Sequence, residues 1–161
     1  MSKLKVAILM GSKTDLDVMK ESANLLKEFG VEYEMKVLSA HRTPKETAAF
    51  AEKAIENGFG AFICGAGGSA ALAGVVAAHT LLPVIGVPVD STSLGGLDAL
   101  LSTAQMPPGV PVGSVAIGKM GAKNAALLVI RIFALSDKIL AKKLEDYRES
   151  QKDAILKTVL T

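Results

Sequence analysis

The feature that most restricts this chain is the recurrence of short apolar runs, each followed by a stretch of helical spacing. Leu4 to Met10 has no helical period and reads as a strand buried on both faces. It ends in Gly11-Ser12-Lys13-Thr14-Asp15, after which Leu16, Met19, Ala23 and Leu26 share one helix face and Gly30 stops the helix. Residues 32–38 predict a second strand and 44–57 a second helix, burying Phe50, Ala51 and Ala54 and stopping at Gly58. Then come a strand over 60–64, an Ala-rich helix over 69–80, a strand over 83–87, a polar loop over 88–96 and a short helix over 97–105. A fifth strand is expected over 112–117, and a helix over 122–135 is apolar nearly all round, which predicts cover on several sides. Ser136 should cap a last helix to about Val159, with Leu140, Leu144, Tyr147 and Ile155 along one face, packing on neighbouring subunits. Repeated strand–helix alternation argues for an α/β fold, a parallel sheet with helices on both faces and right-handed crossovers. With no repeat or linker, 1–161 reads as a single domain, its core about 4–135 and its C-terminal interface helix about 136–159.

Composition narrows the function classes. Half of the 161 residues are hydrophobic but only 4% are aromatic, so the core is aliphatic, and its size predicts burial against other subunits. Net charge is +2 with no basic cluster beyond Lys142-Lys143, which argues against a nucleic acid or an anionic membrane as partner. The single cysteine, Cys64, excludes an intrachain disulfide and fits a reducing cytoplasm. Met1 to Met10 is too short and mixed for a signal peptide, and no apolar run reaches the roughly 18 residues of a membrane span. The expectation is a soluble, cytoplasmic protein.

In an open α/β sheet, ligands bind at the carboxyl ends of the strands. Ser39-Ala40-His41-Arg42-Thr43-Pro44 falls there, with Thr43 placed to cap a helix, Pro44 at its first position and Glu46 three residues after the cap. A proton-transfer group, a fixed positive charge and two hydroxyls thus share one turn. Gly11-Ser12 with Asp15 lies at another strand end. It lacks the Gly immediately before Lys13, and the one five residues earlier, that a triphosphate-binding loop needs. Its helix start and the Ser12 hydroxyl can still hold an anion, while Asp15 and Thr14 have capping as their plainer role. Gly65-Ala66-Gly67-Gly68-Ser69-Ala70 formally fits G-x-G-x-x-A, with Asp90 about twenty residues on. Its place on strand three, in a chain with no room for a substrate domain, favours close approach of backbone to a ligand over dinucleotide binding.

Cys64 reads as a small buried hydrophobe. His79 reads as a charge at a helix end or an interface contact. Two histidines and no cysteine pair leave no recognisable metal spacing. The fourth stretch, Met106-Pro107-Pro108-Gly109-Val110-Pro111, is rigid and suits a wall or lid over the site.

Together with Leu82-Pro83-Val84-Ile85-Gly86-Val87-Pro88-Val89 and Gln105-Met106-Pro107, these blocks resemble the N5-carboxyaminoimidazole ribonucleotide mutase family over nearly the whole chain. These small purine-biosynthesis enzymes are also described as the catalytic subunit of phosphoribosylaminoimidazole carboxylase. The resemblance implies a flavodoxin-like three-layer fold with a five-stranded parallel sheet, a homo-octamer, and no cofactor. It implies an isomerase that moves a carboxylate from the exocyclic nitrogen of an aminoimidazole ribonucleotide to ring carbon 4, with a functional handover of substrate from the carboxyaminoimidazole ribonucleotide synthase. By likeness, Ser12, Ser39 and Arg42 grip the 5′-phosphate, Asp15 the ribose, and His41 is the general acid and base. The backbone of Gly65, Ala66, Gly67 and Gly68 holds the carboxylate or the carbon dioxide formed in transit, and Gly11, Ala40 and Leu72 complete the substrate site. An imidazole, with an ordinary pKa of about 6.5, suits both proton steps. Ala71 stands where the family usually carries a histidine in Ala-His-Leu-Pro. The other readings are direct carboxylation of the aminoimidazole ribonucleotide by carbon dioxide and a non-catalytic nucleotide-phosphate-binding module.

Overall fold

The structure, a computed structural model, describes residues 4–159; Met1 to Lys3 of the amino-terminal run and the last two residues of the 1–161 span lie outside the described residues. Five strands, β1 (Lys5–Met10), β2 (Tyr33–Val37), β3 (Phe59–Gly67), β4 (Val84–Val89) and β5 (Gly113–Ser114), form one parallel sheet in the order β2-β1-β3-β4-β5. The helices are α1 (Leu16–Phe29), α2 (Pro44–Glu52), α3 (Leu72–Ala78), α4 (Leu97–Ala104), α5 (Gly118–Ala134) and α6 (Lys138–Leu156). This is the flavodoxin-like three-layer arrangement. No helix among the described residues is long and apolar enough to cross a membrane.

The continuous apolar strands are explained by the two cores. On β1, Val6, Ile8 and Met10 face the layer of α1 and α5, while Ala7 and Leu9 face α2 and α3. On β3, Ala61 and Ile63 point one way and Phe62 and Cys64 the other. A strand with period-two side chains and apolar cover on both sides has no polar positions to alternate. Ser22 joins α1 to α5 from within, its buried hydroxyl donating to the Ala122 carbonyl at 2.6 Å. Gly30, at φ 74°, ends α1 with its amide on the Leu26 and Lys27 carbonyls.

Several expected boundaries move, each for a local reason. The second helix stops at Glu52 and continues as turns to Gly58, which takes φ 79°. The third begins only at Leu72, after Gly68 has turned the chain at φ 61°. The fifth strand is two residues long instead of six; it pairs on one side only, Pro111 precedes it, and the chain bends at Ile117, just after Ala116 has laid its carbonyl against Gly121. Asp137, and not Ser136, caps α6, accepting from the Ile139 and Leu140 amides; the Ser136 hydroxyl donates back to the Phe133 carbonyl.

The last helix also differs in what it packs on. Leu140, Leu144 and Tyr147 serve the chain's own α1–α5 core, Tyr147 lying edge-on to Phe29 at 5.4 Å, and Lys143 Nζ donates to the Phe29 carbonyl at 2.7 Å. The distal half, with Ile155 exposed, and Ile139 in the first turn are left without cover. The expected cover of α5 on several sides is met within the chain along Ala122, Ala125, Ala126, Val129 and Ile130, while Met120 is 67% exposed and Leu135, just beyond the helix, 89%.

A side chain at Gly121 would overlap the Ala116 carbonyl, which is backbone and cannot rotate away. Gly121→Ala is expected to lower stability by about 1–3 kcal/mol, read from the urea midpoint. An unchanged midpoint would mean that the α5 entrance yields at no cost.

Candidate active site

The strand order reverses between β1 and β3, and a crevice opens at the carboxyl end of that pair. Three of the four expected stretches meet there. The Gly11 amide donates to the Gly65 carbonyl at 3.1 Å and the Leu38 amide to the Met10 carbonyl at 3.0 Å, extending the sheet by one bond on each side of β1. Beyond Gly11 the chain enters a single 3-10 turn, Lys13–Asp15. Here the reciprocal cap expected at Thr43 and Glu46 is found instead: the Ser12 hydroxyl accepts from the Thr14 amide, and Asp15 Oδ2 accepts from the Ser12 amide at 3.0 Å. Asp15 is 4% exposed. Burial pushes its carboxyl above the usual carboxylate range, against the Ser12 amide, the Thr14 hydroxyl and the Arg42 charge, which all pull it down.

The His41 turn is closed on itself. Thr43 makes no side-chain cap on α2; its hydroxyl accepts from the Ser39 amide at 2.8 Å and donates to the Ser39 carbonyl at 3.1 Å. The Thr47 hydroxyl donates to the Thr43 carbonyl at 2.8 Å. The Ser39 hydroxyl accepts from both the Arg42 amide and Arg42 Nε, at 3.2 and 3.3 Å. Arg42 Nη2 then reaches across to the Gly11 carbonyl at 2.7 Å. The guanidinium therefore spans the ends of β2 and β1, and its remaining donors face solvent. Ala40 packs toward the α2–α3 core. His41, beside it, is exposed, and its imidazole makes no hydrogen bond among the described residues.

At the third stretch, Gly65 and Gly67 belong to β3 itself, and only Gly68 takes a left-handed turn. The expected close approach is present but partly internal. A side chain at Gly65 would overlap Met19, and one at Gly67 would overlap the Ser91 hydroxyl. A Cβ built on Gly11 would sit 3.8 Å from Asp15 Oδ2 and 4.0 Å from the Ala66 methyl, so the first and third strand ends touch. Leu72 is 2% exposed, with its side chain in the α2–α3 core. It can offer a ligand only backbone. Cys64 is buried and its thiol pushed far up by that burial, the state of an inert core residue.

The fourth stretch is not at this edge. It follows a helix and leads into a strand, which in a parallel sheet places it at the amino ends. Gly109, Val110 and Pro111 line a cleft of about 610 Å³ with Leu81, Leu82 and His79, and His79 Nδ1 is 3.0 Å from Glu52 Oε1. The proline-rich loop is therefore no lid for its own chain's crevice. The loop that does follow a strand is Asp90 to Gly96, after β4, and sequence reasoning passed over it as a polar connection. Ser91 and Thr92 from that loop stand against Gly67 and Gly68. Their position one connection after β4, by the same edge rule that found His41, was the available signal.

Residues 5–154 match the family described as AIR carboxylase. The chain is 53% identical over 156 residues to the N5-carboxyaminoimidazole ribonucleotide mutase of Saccharolobus solfataricus, spanning 97% of this chain and 98% of that one. It is 51% identical over 152 residues to the N5-carboxyaminoimidazole ribonucleotide mutase of Escherichia coli K12, spanning 94% and 90%. Among solved structures it is similar to Treponema denticola PurE, with a TM-score of 0.84 at 36% identity over 94% of this chain and 93% of that one.

The raised Asp15 carboxyl has a stability consequence of definite sign. The folded chain holds that proton more tightly than the unfolded chain does, whose value is near 3.8. The resulting stabilisation is complete below that value and is lost as pH rises through the raised one. Asp15→Asn keeps an acceptor for the Ser12 amide but has no such proton. Wild-type stability minus variant stability is expected to be most favourable near about pH 3 and to decline toward about pH 7 in urea titrations. A pH-independent difference would show that burial does not dominate at this carboxyl.

Proposed function

The chain belongs to the AIR carboxylase family, and from that premise we propose that it is an isomerase of purine biosynthesis converting N5-carboxyaminoimidazole ribonucleotide to 4-carboxy-5-aminoimidazole ribonucleotide. The observation that carries the reading is the Arg42 bridge. In a chain half identical to mutases over nearly its full length, it fixes a cation beside an exposed imidazole and a glycine edge at the sheet's switch point.

The reaction conserves atoms. Protonation of the exocyclic nitrogen lets the nitrogen–carboxyl bond break and release carbon dioxide; ring carbon 4 then attacks that carbon dioxide and gives up its proton. His41 is the group we assign to both proton steps, acid first and base second. Arg42, Ser12 and Ser39 take the 5′-phosphate, and the guanidinium is already oriented by Gly11 and Ser39, so little side-chain freedom is lost on binding. Asp15 faces the ribose, with Gly11 and Ala40 beside it. Gly65, Ala66, Gly67, Gly68 and the backbone at Leu72 surround the carboxylate, where proximity and exclusion of water do the rest.

Water exclusion asks for cover that the proline-rich loop does not supply at this edge. A homo-octamer is the assembly we propose, supported by the bare apolar residues Leu94, Leu97, Leu101, Met120 and Ile139. A cytoplasmic setting fits the buried free thiol. The labile substrate would come to it from the carboxyaminoimidazole ribonucleotide synthase.

Supplying the carbamate or, separately, the uncarboxylated ribonucleotide with bicarbonate distinguishes mutase from direct carboxylase. Turnover of the carbamate is the expected result. His41→Asn should bind the ribonucleotide normally and lose about 100-fold or more in turnover; retained turnover removes His41 from the proton steps, and no turnover by the wild type would leave only a phosphate-binding module. Arg42→Ala should weaken ribonucleotide binding by about 2–3 kcal/mol, seen as a raised KM. An unchanged KM would take Arg42 out of the phosphate site.

A further inference from the structure

We infer that Ser91 is a further substrate-holding residue, its hydroxyl meeting the migrating carboxylate at the glycine-lined end of β3. The inference deepens the mutase reading and rests on it. Gly67 pairs with Val89 across β3 and β4, and the chain leaves β4 through Asp90 into Ser91. There it turns back over β3: the space a side chain on Gly67 would need is filled by the Ser91 hydroxyl. Glycine at 67 and serine at 91 thus make one surface, a hydroxyl laid against bare backbone.

The loop that carries Ser91 is held from its far side. The Thr92 hydroxyl donates to Asp98 Oδ2 at 2.8 Å and accepts from the Leu94 amide at 3.2 Å. Its methyl lies 3.6 Å from where a Cβ on Gly68 would stand. Thr92 therefore spends its polar atom on the loop and shows the crevice an apolar one. Ser91 does the reverse: it is exposed, and its hydroxyl has no hydrogen-bond partner among the described residues, in contrast to the satisfied hydroxyls of Ser12, Ser39, Thr43 and Thr47 around the same edge.

One neutral donor beside a methyl and glycine backbone suits a group that is a carboxylate at both ends of the reaction and uncharged carbon dioxide between them. A lysine or arginine in this place would stabilise the bound carbamate more than the carbon dioxide and so raise the barrier to its release. A hydroxyl orients the anion and then loses little when the charge leaves, while its donor keeps the carbon dioxide at the ring.

The test follows the fate of the carbamate in wild type, Ser91→Ala and Ser91→Cys, measuring carboxylated product against released, decarboxylated ribonucleotide. Cysteine keeps the packing on Gly67 but donates poorly. Both variants should release about tenfold more decarboxylated ribonucleotide per product formed, with affinity for the decarboxylated ribonucleotide unchanged within about twofold. Wild-type partitioning in Ser91→Ala overturns the inference. So does recovery in Ser91→Cys, which would make Ser91 a packing residue for Gly67. Loss of affinity for the decarboxylated ribonucleotide would place Ser91 at the phosphate or ribose instead. A wild type that leaves the carbamate untouched overturns the mutase reading, and the inference with it.

Discussion

Everything at the crevice depends on one constraint, the handedness of crossover connections in a parallel sheet. From β1 the chain goes outward to β2 through α1, and from β2 it must return past β1 to β3 through α2. Right-handed crossovers in opposite directions put α1 and α2 on opposite faces. Neither of these crossovers then covers the carboxyl ends of β1 and β3, and the crevice is a product of topology before any side chain is considered. The sequence furnishes what such a gap can tolerate: glycines where backbones touch, and polar side chains that satisfy one another through Gly11, Ser39 and Asp15.

The same topology demands strands that are apolar on both faces, and this links stability to the site. β1 and β3 are centred in the sheet, and their carboxyl ends are fixed by aliphatic packing from α1, α3 and α5. Met19 presses on Gly65 from below, so the glycine edge is supported by core and not by loops. The exposed side chain of His41 is carried on a turn whose backbone is held by Thr43 and Thr47.

Much of this was legible in the residues. Both-face apolar runs marked β1, β3 and β4, since few other structures hide Val6 to Met10 or Ala61 to Cys64 completely. The turns at Gly11, His41 and Gly65 were found because glycine, proline and hydroxyl residues cluster at strand ends. What misled was composition read without direction. The proline-rich loop is as distinctive as the His41 turn, but it follows a helix, and only the order of elements says which edge it occupies. Ser91 was passed over for the opposite reason: a serine in a polar loop carries no pattern, and its meaning comes from Gly67, which is remote in sequence. Asp137 displaced Ser136 at the last cap because either can accept an amide, and a one-residue shift changes no periodicity.

The cleft that joins Glu52, His79 and Pro111 sits at the amino ends of the strands, with the full depth of the sheet between it and Arg42. Within one chain, the two rims can therefore drift independently. A change at His79 acts first on Glu52 and leaves the bonds of Arg42 to Ser39 and Gly11 at the upper rim as they are. The sheet acts as an insulator between variation and chemistry.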